Sequence, residues 1–546
     1  MRHYIRFGLA DAADKRGTPI RFPVEHFMRH VFLCGKTGTG KTVTLINWCL
    51  SLAENLASDP DTAPGFTFID PHGDAVNDLL ERLPDKVAER VHILHFRDTD
   101  RPRGFNLLEA PPGMEEVAVG AFVDMLHDLF PAGVGYRMEH IIKNALLTLV
   151  RVGGQTILSL EPLLSSEQVR AKTLPKVMGD PVLRSFWETQ FPAFAKKAVE
   201  TLAPIWNKLG AFATYPRVRR VVGQPKSTID PLKIMDEGHI LLVDLAGAGE
   251  DVTPIMGGAL VNRYHFSALA RAGRPKNQRR PHVLIADEVH NYATKVMSNI
   301  LSEDRKFGLG FVIATQFLNR VPEEVLDGIL GNVGTLVVLG IEKGDAERLK
   351  KYFSNFTAED LVQRPTFHAA VYTTAGGSPC VFTMESPLPP PGDPARAERI
   401  LAQSDREDGE DAERVDSYIS RLFALARAVP PQQEGGRGAD TQAQGGGADA
   451  GAPKGKQSTY VGKKNIPVVG SNTAAVPKGK RVTAVPVPPG PVCGGPCAGS
   501  VANPGPVSAG GPPDSKTETR EDASDAAVAD LFKPAANLLP GCDNLT

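Results

Sequence analysis

The residues best equipped for chemistry stand close together near the N-terminus. Gly35-Lys36-Thr37-Gly38-Thr39-Gly40-Lys41-Thr42 packs three glycines, two lysines and three threonines into eight positions. Gly35 and Gly40 bracket four residues and are followed at once by Lys and Thr. That spacing lets successive backbone N–H groups close around phosphate oxygens. Lys41 would reach the outer phosphates of a nucleoside triphosphate, and the Thr42 hydroxyl would ligate Mg²⁺. ATP and Mg²⁺ are the expected ligands.

Two further groups fit the same chemistry. Asp287-Glu288 closes the apolar run Val283–Ala286. The Asp suits a Mg²⁺ shell, and the Glu beside it can polarise an attacking water. The alternative is an acidic pair opening a solvated loop. Gln316 closes Phe311–Gln316. Its amide can donate to a phosphate and accept from water, and so sense hydrolysis. The alternative is an amide that satisfies loop backbone. Asp70, His72 and Asp74 follow the run Phe66–Ile69, on a strand expected beside the phosphate loop. They line the site, order their own loop or contact a neighbour; Asp70-Pro71 is also ordinary turn chemistry.

Around these groups, short apolar runs alternate with amphipathic stretches. Val31–Cys34, Phe66–Ile69 and Val91–Phe96 read as strands, with helices over Val43–Leu50 and Val76–Leu83. This β-α-β-α-β order predicts a parallel sheet covered on both faces. From 111 to 236 the apolar residues recur at helical spacing, as in Val117–Phe130, Met138–Val150 and Ala193–Leu209. Alternation returns with His239–Leu245, Val252–Ala272, Val283–Glu288, Phe311–Gln316 and Thr335–Leu339, and Ala369–Tyr372 reads as an edge strand. The expected class is α/β: a mainly parallel core split as 1–110 and 237–393, an all-helical insertion at 111–236, exposed helices at 394–429, and a disordered Pro/Gly-rich tail at 430–546. Residues 1–29 read as polar and mixed.

Composition narrows the class. A net charge of -2 over 546 residues conceals any local patch. The six cysteines form neither a disulfide framework nor a zinc pattern, which points to a reducing, cytoplasmic setting. No run approaches the ~18 apolar residues of a membrane span. Lys208, Arg217, Arg219 and Arg220 lie in a basic stretch able to track nucleic-acid phosphates, with a solvated helix face or a subunit contact as the alternative. No sequence-reading DNA motif is evident, so any contact is expected to be nonspecific.

Taken together, His30–Thr42, Phe68–Asp74, Leu284–Asn291 and Arg305–Gln316 resemble the HerA/FtsK superfamily of P-loop ATPases. Within it, the resemblance is to type IV coupling proteins of conjugation and their soluble bacterial relatives, over about residues 25–395. It implies a RecA-like core, a homo-hexameric ring, ATP-driven DNA movement, and partners among mobile-element transfer or secretion proteins. A protein-secretion motor of the same fold and an ATP-gated scaffold are the alternatives. In a ring, Arg305 would sit at the N-terminal edge of the sheet, away from its own phosphate loop, and could reach the γ-phosphate of the next subunit. Arg320 is a rival for that role, and a helix-end Arg complementing its dipole is the bland reading.

Overall fold

Strands that read as unbroken apolar runs need two covered faces, and the sheet supplies them. In β3 (Val31–Cys34), Val31 and Leu33 enter one core layer, while Phe32 and Cys34 enter the other. β7 (His282–Ala286) and β8 (Leu309–Thr315) divide the same way: Val283, Ile285, Val312 and Ala314 face one side, Leu284, Phe311 and Ile313 the opposite. A period of two with apolar residues at both phases is what a doubly covered sheet requires.

The computed structural model describes residues 3–12, 15–130, 135–195, 206, 208–374 and 378–427, all within a single unit. The proposed tail at 430–546 lies outside the described residues. The sheet contains β1 (Tyr4–Ala10), β2 (Pro19–Pro23), β3, β4 (Gly65–Asp70), β5 (Val91–His95), β6 (Ile240–Asp244), β7, β8, β9 (Thr335–Val338), β10 (His368–Thr373) and β11 (Cys380–Glu385). Their order is β2-β1-β11-β10-β9-β3-β8-β7-β4-β6-β5. From β9 to β5 every pairing is parallel; from β9 to β2 every pairing is antiparallel.

The α/β class and the mainly parallel core agree with the expectation; several details differ. Residues 1–29 contain β1 and β2, whose alternation of exposed Tyr4 and Arg6 with buried Ile5 and Phe7 is a strand signal. Phe7 stacks on Trp48 at 4.8 Å, and its carbonyl accepts the Trp48 indole N–H at 2.9 Å. This ties the hairpin to helix Lys41–Ser58 behind the phosphate loop. β10 is interior, because β11 and β1 extend the sheet past it. β4 does not lie beside β3: β8 and β7 stand between them.

Between β5 and β6, all regular structure among the described residues is helical. The block packs on helix Thr253–Leu269 through Glu115–Leu129. A Cβ on Gly258 would lie 2.7 Å from Met125 Sδ, so glycine permits the approach. The helices near 394–429 are not simply exposed. Helix Pro394–Asp408 buries Ile400 and Ser404 against β5, and Ala412, Val415 and Ile419 of the following helix are buried as well. His92, His95 and Arg103 draw Asp408 and Asp405 inward, with Arg103 Nη1 2.6 Å from Asp405 Oδ1.

Candidate nucleotide site

The carboxyl ends of the parallel strands share one edge of the sheet, and the phosphate loop, Asp70, Asp287-Glu288 and Gln316 follow or end strands there. Cys34 pairs in register with Thr315, Ala286 with Ile313, and Asp70 with Asp244. Ligands of such sheets bind outside this edge.

Leaving β3, the chain turns through Gly35–Gly40 into helix Lys41–Ser58. The Gly35 N–H donates to the Thr315 carbonyl (3.4 Å), and the Lys36 N–H to that of Gly340 (2.8 Å), anchoring the loop to strands on both sides. The Thr39 hydroxyl donates to the Lys36 carbonyl at 2.7 Å. Gly38 and Gly40 adopt φ of 78° and 106°, a region costly for residues with a Cβ. The Thr44 N–H closes the first helical bond onto the Gly40 carbonyl, and a helix N-terminus of this kind offers the N–H groups of its first residues to an anion.

Lys41 is buried, and its ammonium lies 3.3 Å from Glu288 Oε1. Glu288 has a left-handed backbone, φ 44°, which is strained for a glutamate. Its Oε2 accepts the Gln316 N–H at 3.1 Å and lies 3.3 Å from His290 Nδ1. His290 in turn lies 3.3 Å from the Thr315 hydroxyl. Burial pushes the Glu288 carboxyl upward, but the His290 hydrogen bond and the Lys41 charge outweigh it and hold the group below the usual range. Asp287 behaves oppositely. Burial, then repulsion from Glu288, pushes its carboxyl up to about 7, against the pull of Lys41. The two neighbouring carboxylates thus have separated proton affinities, a pattern common at reactive centres.

Asp287 Oδ1 accepts the Glu288 N–H at 2.8 Å, and its backbone carbonyl accepts the Tyr292 hydroxyl at 2.7 Å. Among the described residues, no cluster of three or more His, Cys, Asp or Glu could hold a metal by itself. The Thr42 hydroxyl and one buried carboxylate suit Mg²⁺, which keeps several waters and takes its other oxygens from phosphate. Those two residues would hold it, and the ion would neutralise charge on the outer phosphates.

Other predicted residues occupy varied positions. Asp70 is buried and accepts backbone N–H groups of His72 (2.8 Å), Ala75 (2.9 Å) and Val76 (3.3 Å), so it orders its own loop. His72 and Asp74 are exposed beside it. Gln316 meets Glu288 through its backbone N–H. Arg305 is exposed on the short turn Asp304–Phe307 ahead of β8, at the opposite edge of the sheet, where its charge acts on His30. Arg320 is exposed after β8 with its guanidinium 4.5 Å from the Phe317 ring centroid. The four basic residues do not form one free patch: Arg220 is held by Asp416 (2.7 Å) and Asp98 (3.3 Å), Arg219 donates to the Ala213 carbonyl, and Lys208 sits over the Phe130 ring. Arg217 is exposed on helix Pro216–Val222.

Sequence reasoning missed three contributors. His290 stands two residues after Glu288, and the Asp-Glu-x-His spacing was its only signal. Tyr292 reaches back to the Asp287 carbonyl, and Phe367 reaches the site through a tertiary contact. The Phe367 N–H donates to the Thr39 carbonyl at 2.9 Å.

No family model and no curated protein matches the chain by sequence. Solved structures do match. The bacterial conjugative coupling protein TrwBdeltaN70, in an unbound form, aligns over 69% of this chain and 88% of its own, at 16% identity and a TM-score of 0.51. TrwB with the GTP analogue GDPNP aligns over 71% and 90%, at 16% identity and 0.50. TrwB with ADP and Mg²⁺ aligns over 70% and 90%, at 17% identity and 0.50. At such identity the likeness is one of fold, and at that level it bears out the resemblance carried by the motifs: this chain has the P-loop NTPase fold of the conjugative coupling proteins.

Proposed function

We propose that the protein is a Mg²⁺-dependent ATPase that assembles into a ring, hexameric by analogy, and moves DNA during transfer of a mobile element. One observation carries the catalytic part: Lys41 of the phosphate loop and Glu288, next to buried Asp287, meet at 3.3 Å at the ligand-binding edge of the sheet. The coupling-protein fold supports the DNA part.

In this reading the backbone of Gly35–Thr42 cradles the phosphates, while Lys41 leaves Glu288 for the outermost one. Losing that counter-charge raises the basicity of Glu288, which then accepts a proton from the attacking water. His290 and the Gln316 N–H keep the carboxylate oriented. Movement of Gln316 with the product transmits hydrolysis along β8. Arg305, at the far edge, serves the neighbouring subunit's site.

For DNA, exposed Arg217 is the favoured phosphate contact; Arg219 and Arg220 are engaged within the fold, and Lys208 sits over the Phe130 ring. Among the described residues, no helix is long and apolar enough to cross a membrane. The test is the dependence of ATP turnover on DNA. Stimulation supports a translocase, whereas slow turnover indifferent to DNA favours a scaffold.

A further inference from the structure

Lys41 and Glu288 give the bound nucleotide a direction. Glu288 follows β7, which lies beyond β8 on one side of the phosphate-loop strand β3. The γ-phosphate end must therefore point toward β8 and β7. A triphosphate held along the loop then carries its nucleoside to the opposite side, over β9 and β10.

That side is built around an aromatic residue. β10 runs antiparallel to β9, with Ala370 opposite Val338, so the start of β10 lies at the same edge as the phosphate loop. Phe367, the residue before β10, has φ 67°, a conformation rarely adopted by a bulky side chain. Its N–H bonds the Thr39 carbonyl, and its carbonyl accepts the Ser386 N–H at 2.8 Å. The Ser386 hydroxyl lies 2.7 Å from that of Thr44. The segment is thus fastened to the phosphate loop directly and, through Ser386, to the helix that follows it. The ring lies directly on the loop: a Cβ on Gly40 would come within 2.7 Å of Phe367 Cδ1. Phe367 remains partly exposed there. Strained backbone held by surrounding contacts is a feature of ligand clamps.

We infer that Phe367 is the stacking surface for the nucleobase, a binding residue for the nucleoside half of the ligand. The inference rests on the nucleotide-binding reading above. Stacking engages the π-face that every base presents, so it adds affinity without choosing strongly between bases.

The test compares ATP with inorganic tripolyphosphate, which has the phosphates and no base, by titration calorimetry on the full chain. Phe367→Ala should weaken ATP about tenfold, within the range found for losing a base–aromatic stack, and leave tripolyphosphate unchanged. Phe367→Trp should retain ATP affinity. Phe367→Leu, which keeps apolar bulk without a π-face, should behave as Phe367→Ala, and melting curves confirm that each variant is folded. ATP binding within twofold of the parent in folded Phe367→Ala or Phe367→Leu overturns the inference. Equal loss of ATP and tripolyphosphate also overturns it, since Phe367 would then act on the shape of the loop. A parent protein that binds neither ligand refutes the nucleotide reading itself, a result distinct from failure of the stacking role alone.

Discussion

Lys41 Nζ and Glu288 Oε1 are 3.3 Å apart, although they come from the two separate halves of the split core and follow strands that β8 separates. The contact joins the group expected to hold phosphate to the group expected to activate water. Removing either should therefore fail differently. Lys41→Ala should lose tight ATP binding or turnover while remaining folded. Glu288→Gln should still bind ATP and hydrolyse it at least about 10²-fold more slowly, the usual range for losing a general base. Binding and turnover measured on both variants decide this; loss of ATP binding in Glu288→Gln would make Glu288 structural.

The raised Asp287 carboxyl has a stability signature. Its folded value of about 7 exceeds the ordinary 3.8. Between those values the folded protein keeps a proton that the unfolded chain has released, so this group's contribution falls as pH rises through about 7. Asp287→Asn cannot ionise. Measured with a chelator present, its melting temperature should exceed the parent's at pH 8, with the difference shrinking toward pH 5. A difference that does not change with pH would contradict the burial argument.

The phosphate loop was legible in sequence because all its determinants are local: an apolar strand, glycines at fixed spacing and an amphipathic helix. Asp287-Glu288 was legible for the same reason. Strand order is non-local, so nothing in Phe66–Ile69 revealed that β8 and β7 separate it from β3. Phe367 was hidden because its left-handed backbone and its contact with Gly40 exist only in the folded chain. β1 was overlooked because Tyr4 and Arg6 on its exposed face masked the alternation of Ile5 and Phe7.

The C-terminal helices make a further distinction testable. Deleting 430–546 should leave melting and ATPase activity largely unchanged, since that composition offers little to a core. Asp405→Ala should not be neutral. Arg103 is fully buried, and stripping a buried charge of its partner costs about 3–5 kcal/mol. Equilibrium denaturation of the two proteins should show a marked loss only for Asp405→Ala; equal behaviour would mean that the helix adds nothing to the core.

Arg305 is testable by mixing. Arg305→Ala subunits and Lys41→Ala subunits, each inactive alone, should recover some ATPase activity in mixed rings, because one intact composite site can form between them. Related arginine fingers are worth about 10³–10⁵ in rate. Parent-level hydrolysis by Arg305→Ala alone, or no recovery on mixing, would remove the trans-acting role and leave Arg320 as the candidate.

The central claim is that this nucleotide site drives DNA movement. The most direct measurement is steady-state ATP turnover by the full chain, with and without single- and double-stranded DNA of unrelated sequences, at one stated salt concentration and again at higher salt. The account predicts turnover that rises with DNA whatever its sequence, weakens as salt competes for the phosphates, and disappears in Glu288→Gln. Turnover that is the same with and without either form of DNA would contradict it.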